Sequence, residues 1–356
     1  MILGRIKQMR RIFRELRYLK RILNTYGGSL RPGSYQMFPS MRAIAAVDSD
    51  VLKNADRYFA KNIQVGITQK MIAKINKTSF YCNKKCGATE LYDAVYVANN
   101  YDKVREIKLF SFDRKEILTV CTSAKEQEKQ ITEYEKLHRW FGMPRAENQS
   151  QYENAYKIAM VDLLPRPDEK LALENIVQCI CAYRLDHLAE EKSVTAEKIT
   201  SFAYSCQELN DLLTNLTEKI SSATLEKALT LCLQHGDLSR DNLIYGSCNG
   251  KTGFWWIDWE HARPRLFFYD YFFYMLNTAL YFKDTSALDA YLHGNYDDQL
   301  HDYFSQFGLQ YDPDLRKDYF LIFAVDFLKE RVCDRGNLDA LKMYLEFINQ
   351  TVLDKV

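Results

Sequence analysis

Three oxygen-bearing side chains in the second half of the chain have a spacing that suits chemistry on a phosphate group. Asp237 and Asn242 lie five positions apart across a turn, and Asp258 follows sixteen positions after Asn242. Between them the sequence predicts a β-hairpin, because two short apolar runs, 243–245 and 254–257, flank a segment rich in glycine and serine. Such a hairpin would return Asp258 to Asn242 and place two oxygen donors at the ends of neighbouring strands.

Side chains of these types suit a hard divalent cation. Mg²⁺ prefers oxygen ligands and keeps several of its waters, and phosphoryl transfer needs a cation to neutralise the charge of the transferred group. We therefore expect Asn242 and Asp258 to hold Mg²⁺, and Asp237 to accept or orient the proton of an attacking hydroxyl. His235 and Arg240, in the same loop, are assigned supporting roles.

The motifs of this segment resemble those of a known family. The run 235–237, with an Asn five positions after its Asp, and the run 257–260 resemble the aminoglycoside phosphotransferase and choline kinase-like family, which shares the protein-kinase fold. In this resemblance Asp258 takes the place of the metal-binding Asp of the protein-kinase Asp-Phe-Gly motif. Asp270 matches the residue that braces the catalytic loop from the following helix. The whole run 234–270 is most similar to members associated with bacterial surface-glycan and lipopolysaccharide assembly.

This resemblance implies an α+β, two-lobed protein-kinase-like fold, with a small antiparallel sheet lobe and a larger, mainly helical lobe. It implies an enzyme that transfers the γ-phosphate of ATP, with Mg²⁺, to a hydroxyl of a small molecule or a glycan, the latter in cell-envelope polysaccharide assembly. Two alternatives stay open. A choline, amino-alcohol or aminoglycoside kinase would use the same three residues, and a non-catalytic pseudokinase would act as a membrane-associated scaffold.

The nucleotide-binding residues are less clear in the sequence than the metal ligands. The resemblance places the adenine-binding linker at 160–164, so Met160, Asp162 and Leu164 are the candidate contacts. The third strand of the sheet lobe should carry a lysine for the ATP phosphates, but 120–122 contains none. Lys108, on the preceding strand, is the substitute that we expect. A helix glutamate would pair with that lysine, and the candidates are Glu128, Glu133 and Glu135.

Length and composition agree with a two-lobed globular protein. The chain has 356 residues, of which 47% are hydrophobic and 27% charged, ordinary values for a globular protein in water. Strand-like runs from Leu91 to Cys121 precede a charged helical pattern, and helical spacing continues from Asp168 to Leu233. The predicted segments are a basic amphipathic helix (1–28), an irregular and partly helical approach (29–87), the sheet lobe (88–165) and the helical lobe (166–356).

The basic helix carries a strong local charge within a chain of net charge +1. Residues 1–26 contain eight Lys or Arg residues against the single acid Glu15, and apolar residues recur along one face. One interpretation is that the apolar face packs on the protein body. The other is attachment to an anionic membrane surface, to which each basic residue contributes about 1 kcal/mol. Nucleic-acid binding is disfavoured, because no aromatic strand platform accompanies the basic residues.

The remaining sequence features indicate the cellular compartment in which the protein is expected. No run of eighteen apolar residues without charge occurs, so a membrane-spanning helix is not expected. The nine cysteines are scattered, and neither Cys82 with Cys86 nor Cys179 with Cys181 has a second pair at zinc-binding spacing. We expect free thiols in a reducing cytoplasm, with the protein either dissolved there or peripheral on the inner face of the membrane.

Overall fold

The computed structural model divides the chain into two compact units. The first comprises Met1–His138, Pro144–Asp162 and Cys248–Lys251, and the second comprises Arg139–Met143, Leu163–Ser247 and Thr252–Val356. The residues that the structure describes are 2–38, 42–49, 80–83, 90–100, 103–149, 152–204, 206–331 and 338–354.

The first unit is built on an antiparallel sheet, which in the described part of the chain has eight strands in the order β3-β1-β2-β4-β5-β6-β8-β7. Helix α2 follows β6 and begins at an N-cap, Ser123, whose hydroxyl accepts a hydrogen bond from the amide of Glu126. The elements are α1 (Ile2–Tyr26), β1 (Gly33–Phe38), β2 (Ala43–Ala46), β3 (Phe80–Asn83), β4 (Ala94–Asn100), β5 (Lys103–Ser111), β6 (Glu116–Cys121), α2 (Ala124–Leu137), β7 (Ala146–Gln149) and β8 (Ala155–Ala159).

Strands β4 to β8 with α2 form the five-stranded sheet and single helix that the sequence predicted for the small lobe. Strands β1, β2 and β3 were not predicted, since segment 29–87 was interpreted as irregular and helical. They are short, so each gives only a weak periodic signal in the sequence. In β1 that signal is limited to Tyr35 and Met37, which are buried at alternate positions. The helical part of that prediction falls mainly on 50–79, outside the described residues.

Helix α1 packs on this sheet. Leu19, Ile22 and Leu23 are buried in one cluster with residues of β1, β4 and β5. Packing on the protein body is therefore confirmed for the second half of the helix, whereas Phe13, on the predicted apolar face, is 52% exposed. Within the described ranges, no helix combines the length and the apolar character needed to cross a membrane.

The second unit is mainly helical, and the expectation of an α+β chain with a sheet lobe and a larger helical lobe is confirmed. Small sheets with the orders β10-β11-β14 and β13-β12-β9 accompany the helices. The elements are β9 (Asp162–Leu163), α3 (Glu169–Asp186), β10 (Lys192–Thr195), α4 (Ala196–Thr200), α5 (Gln207–Thr217), α6 (Ser222–Leu225), β11 (Ala228–Gln234), β12 (Leu243–Cys248), β13 (Lys251–Trp256), β14 (Arg263–Leu266), α7 (Tyr269–Tyr281), α8 (Ser286–Leu292), α9 (Asp297–Gln306), α10 (Arg316–Arg331) and α11 (Leu338–Ile348).

The prediction of helix up to Leu233 is wrong at its end. Residues 228–234 form β11, which pairs antiparallel with both β10 and β14. Leucines at 229, 231 and 233 alternate with smaller or polar residues, which is the period of a strand. Strand β11 matters for the site, because it leads directly into the loop that contains Asp237.

Helix α7 lies in the core of the second unit. All of its residues from Tyr269 to Met275 are buried, as expected for a helix with apolar residues on every side. Its rings pack edge-on against aromatic residues of α10, for example Phe272 against Phe320, with ring centroids 5.6 Å apart. A helix fixed in this way is a rigid support for the single acid of its first turn, Asp270.

Candidate functional site

The predicted hairpin between Asn242 and Asp258 is confirmed as β12 and β13. Its turn contains Asn249 and Gly250 with φ values of 50° and 76°, the backbone shape that favours an Asn-Gly pair. At the open end, the amide of Ile257 donates to the carbonyl oxygen of Asn242 over 3.0 Å. The residue after Ile257 is Asp258, so the two predicted metal ligands lie on neighbouring strand ends.

Asp258 has a left-handed backbone conformation, with φ 65° and ψ 61°. For an L-residue this conformation costs roughly 1–2 kcal/mol, and Asp and Asn tolerate it better than most residues. The chain then enters a short 3₁₀ turn, Trp259–His261, in which Trp259 is buried. Asp258 therefore turns the chain sharply after β13, and its side chain is exposed. Backbone strain of this kind is found at functional sites.

Asn242 is tied to the predicted base. Its Nδ2 donates to the carbonyl oxygen of Asp237 over 2.8 Å and approaches the carboxylate Oδ2 of Asp237 at 3.4 Å. Because Nδ2 takes these contacts, the amide oxygen of Asn242 faces the other side of the group and remains a candidate metal ligand. An amide oxygen and an exposed carboxylate are the donors that Mg²⁺ takes from proteins, so this pair fits the ion. No group of three or more His, Cys, Asp or Glu in the described ranges could hold a metal.

Two backbone amides of the loop are bound by one buried carboxylate. The amide of His235 donates to Oδ2 of Asp270 over 2.5 Å, and that of Gly236 donates to Oδ1 over 2.8 Å. Burial raises the pKa of Asp270 to about 6, while these two amides and Arg265 act to lower it. The imidazole Nε2 of His235 lies 2.8 Å from the carbonyl oxygen of Ile257, so the ring links the loop to the end of β13.

Gly236 is required by its surroundings. Its φ is 78°, and a Cβ added there would lie 2.6 Å from the carbonyl oxygen of His261 and 2.8 Å from Nε of Arg265. Another side chain would meet backbone on one side and a buried guanidinium on the other. The glycine of the His-Gly-Asp run therefore lets two other segments approach the loop closely.

Arg240 connects the loop to α3 and to the segment after α7, and its supporting role stays a prediction. Its guanidinium Nη2 lies 2.6 Å from Oε1 of Glu169 and also contacts Asp284, and the cation lies over the ring of Phe282. Arg166 donates from Nη1 to the carbonyl oxygen of Leu243 over 2.7 Å. Both arginines connect the loop to the beginning of α3.

Sequence reasoning missed several of these residues. Gln234 is fully buried, and its side-chain oxygen accepts a hydrogen bond from the amide of Asp270 over 3.0 Å. Arg265 is buried and forms two hydrogen bonds with Glu330, 65 positions away. Had residues 228–234 been predicted as a strand, Gln234 would have been identified as the last residue before the loop. Nothing in the sequence pairs Arg265 with Glu330.

The nucleotide-binding candidates of the first unit lie as follows. Lys108 is on β5 directly opposite Thr119 of β6, and opposite residues of a ladder share one face of the sheet. Lys108 therefore shares a sheet face with Thr119 and with Cys121, the latter one of the three positions at which the expected lysine is missing. Its ammonium lies 2.8 Å from Glu106, two positions earlier on the same strand. The predicted pairing of this lysine with a helix glutamate, Glu128, Glu133 or Glu135, stays a prediction.

The predicted linker residues differ from one another in their environments. Met160 is buried in a cluster with Phe110 and Phe112. Asp162 forms an ion pair of 2.6 Å with Lys115, and both side chains are about half exposed. Leu164, in the second unit, is 38% exposed. The assignment of these residues to nucleotide binding stays a prediction.

Comparison with known proteins gives structural neighbours but no match by sequence: no family model and no curated protein matches the chain. The structure is similar to the aminoglycoside phosphotransferase APH(4)-Ia, with a TM-score of 0.41, 16% identity, and coverage of 74% of this chain and 94% of that one. A choline/ethanolamine kinase family protein from Mesorhizobium loti gives a TM-score of 0.39, 12% identity, and coverage of 71% and 84%. A macrolide 2'-phosphotransferase type I gives a TM-score of 0.38 and 14% identity, with coverage of 81% of this chain and 98% of that one.

Proposed function

We propose that the protein transfers the γ-phosphate of ATP, with Mg²⁺, to a hydroxyl group of a small molecule or glycan. One observation carries the proposal. Asn242 binds Asp237 through its side chain and Ile257 through its backbone carbonyl, so hydrogen bonds connect this candidate metal ligand to the candidate base and to the residue before Asp258. This set of groups is what phosphoryl transfer requires of a protein.

The roles follow from the chemistry of each group. The carboxylate of Asp237 accepts the proton of the attacking hydroxyl, or orients that hydroxyl, in the manner of a general base. The amide oxygen of Asn242 and the carboxylate of Asp258 hold the cation, which supplies charge neutralisation for the phosphates. Asp270 acts indirectly, since it fixes the backbone just before Asp237 through His235 and Gly236.

For the nucleotide we propose contacts from Lys108, Met160, Asp162 and Leu164. Lys108 is the phosphate ligand in this proposal, because it shares a sheet face with Cys121, one of the third-strand positions at which the family resemblance expects a lysine. Loss of that lysine is also the observation that favours the second candidate function, a pseudokinase scaffold without transfer activity.

A phosphate-transfer assay tests the main proposal. The wild-type protein is incubated with Mg²⁺ and labelled ATP over a library of sugars, glycan fragments, amino alcohols including choline, and aminoglycosides. We expect transfer to a saccharide, and a strong reduction in the Asp237→Asn variant. Transfer confined to choline or an aminoglycoside would select the alternative acceptor classes.

The pseudokinase alternative is tested by nucleotide binding together with the same assay. ATP that binds only the folded state raises the melting temperature, so the wild type should gain thermal stability with ATP and Mg²⁺. We expect the gain to need Mg²⁺ in the wild type and to lose that dependence in Asp258→Asn. Binding without transfer to any acceptor of the library would instead support the scaffold.

We further propose that α1 attaches the protein to an anionic membrane surface, where the acceptor is a lipid-linked saccharide of the cell envelope. Glu15, the single acid of the helix, is buried and paired with Arg42 over 3.0 Å. The exposed charges of residues 13–26 are therefore all positive, and Phe13 is exposed among them. The exposed basic residues are Arg14, Arg17, Lys20 and Arg21.

Vesicle binding tests this attachment. Wild-type protein should sediment with vesicles that contain phosphatidylglycerol and not with vesicles of phosphatidylcholine alone. Changing the four exposed basic residues of segment 13–26 to Gln should strongly reduce sedimentation. The matched control removes four exposed charges in α2 and just after it (Lys125, Lys129, Lys136 and Arg139, all to Gln) and should keep it. Equal loss in both variants, or no binding by the wild type at 150 mM salt, would refute attachment through α1.

A further inference from the structure

Arg265 occupies an unusual position beneath the loop that carries Asp237. It lies on β14, opposite Cys232 of β11, and is 3% exposed. Its guanidinium lies over the ring of Tyr269, 4.4 Å from the centroid, and forms two hydrogen bonds with the carboxylate of Glu330 on α10. Burial alone would lower the pKa of Arg265, but the bonds and charge of Glu330 raise it above the ordinary value, so the guanidinium stays charged.

The guanidinium also touches the loop backbone. The missing Cβ of Gly236 would lie 2.8 Å from Nε and 3.0 Å from Nη2 of Arg265, so the cation packs against the bare α-carbon. Gly236 immediately precedes Asp237, and its amide donates to Asp270. A shift of Arg265 would therefore change the space available to the residue before the candidate base.

Two arginines bind the same carboxylate but only one of them reaches the loop. Nη2 of Arg263 lies 2.7 Å from Oε2 of Glu330, and its side chain is 53% exposed. Arg263 precedes Arg265 by two positions on β14, so the pair offers a natural comparison between a surface contact and a buried one. The carboxyl group of Asp326 also interacts electrostatically with Glu330 and with both arginines.

We propose that Arg265, oriented by Glu330, is a positioning residue for the catalytic loop: it packs against Gly236 beside the carboxylate of Asp270, which binds the loop amides, and so holds Asp237 in position. The inference rests on the proposed phosphotransferase function. The groups that face Asp270 include the amides of His235 and Gly236, the cation of Arg265, the carboxylate of Asp237, and the side chains of Cys232 and Tyr303. Arg265 is thus the cation that balances this carboxylate among the described groups that face it.

The experiment compares four variants of the full chain: Arg265→Met, Arg265→Lys, Glu330→Gln and the control Arg263→Gln. Loss of the cation at 265 should lower kcat at least tenfold and leave the KM for ATP within twofold. It should also move the acidic limb of the kcat profile to higher pH, because Asp270 loses a stabilising charge. Arg265→Lys should restore the position of that limb, and Arg263→Gln should behave as wild type.

A purely structural role predicts a different pattern. In that case Arg265→Met would lower the melting temperature while the pH profile of the remaining active protein stayed unchanged, and this result would overturn the proposal. If Arg265→Met does not fold, Glu330→Gln decides, since it keeps the arginine and removes only its orienting charge. A wild-type kcat and pH limb in Glu330→Gln would then refute the inference.

Hydrogen exchange separates this inference from the proposed function. The amides of His235 and Gly236 are held by Asp270, and their exchange is measured without any substrate. We expect faster exchange at these two positions in Arg265→Met and Glu330→Gln, and unchanged exchange in Arg263→Gln. If the wild type transferred no phosphate, the proposed function would be refuted. The exchange rates of these two amides would still test whether Arg265 positions the loop.

Discussion

The loop at 235–242 and the strand pair β5–β6 hold their polar side chains in different ways. The loop is held by buried or partly buried carboxylates from other segments, which bind its backbone amides and its arginine. Asp270 of α7, for example, binds the amides of His235 and Gly236. On the strands, Lys108 is 30% exposed and pairs with Glu106 of its own strand. Partly exposed pairs contribute about 1 kcal/mol or less, so Lys108 can be released to another anion at little cost. The loop backbone is therefore held by buried hydrogen bonds, whereas the pair of Lys108 and Glu106 is only weakly stabilised.

The largest expected effect is at the centre of the loop. Asp237→Asn removes the proton acceptor but keeps the shape of the side chain, so kcat should fall about a thousandfold with KM for ATP nearly unchanged. The control is Asp241→Asn, at an exposed position of the same loop, which should change kcat less than threefold. Steady-state kinetics with the acceptor found in the library assay measures both. Similar losses in the two variants would mean that Asp237 has no special role.

A smaller effect is expected from the backbone that supports Asp237. Gly236→Ala places a Cβ 2.6 Å from the carbonyl oxygen of His261, so the loop must shift, and a shift of about 1 Å costs roughly a hundredfold in kcat. The melting temperature should also fall by several degrees.

The matched control for that substitution is Gly250→Ala, at the hairpin turn. Gly250 has nearly the same φ, 76°, but no atom lies within 4 Å of its added Cβ. This variant shares the backbone strain without the collision, so it should lose stability and keep kcat. Equal loss of kcat in both would show that the close approach of His261 does not matter.

On the strands the expected effect is smaller again. Lys108→Met should weaken ATP binding about tenfold, since a charged hydrogen bond to phosphate is lost, and should leave the melting temperature of the free protein almost unchanged. Lys129→Met, at an exposed position of α2, is the control. Isothermal titration with ATP and Mg²⁺ measures both. An unchanged affinity for ATP in Lys108→Met would show that Lys108 does not bind the nucleotide.

The smallest effect concerns pH. Burial raises the pKa of Asp270 to about 6, and the loop amides need its ionised form, so kcat at pH 6 should be about half its value at pH 8. Stability should change in the opposite direction. A folded-state pKa above the unfolded value of about 3.9 gives a contribution that is complete below pH 4 and is lost as pH rises through 6.

The pH prediction is checked with Asp270→Asn. The melting temperature of the wild type minus that of the variant should decrease between pH 5 and pH 7. A flat difference, together with a kcat profile that does not change near pH 6, would show that Asp270 stays ionised throughout.

The sequence predicts those parts of the site whose partners are close in the chain. The spacing of Asp237 and Asn242, the hairpin and the position of Asp258 follow from turn residues and apolar runs within about 25 positions. The Arg265–Glu330 and Arg240–Glu169 pairs join segments more than sixty positions apart, and only the folded chain brings them together. Strands β1 to β3 were missed for a related reason, since short strands depend on their neighbours more than on their own sequence.

The left-handed backbone at Asp258 limits how this position can change. Ala or Ser there would add conformational strain to the loss of a carboxylate, so an inactive variant of that kind would report two defects at once. Asn and Gly accept the same dihedral angles and separate charge from shape. A descendant of this chain that had given up catalysis but kept its architecture should therefore display one of those two residues at the end of the hairpin.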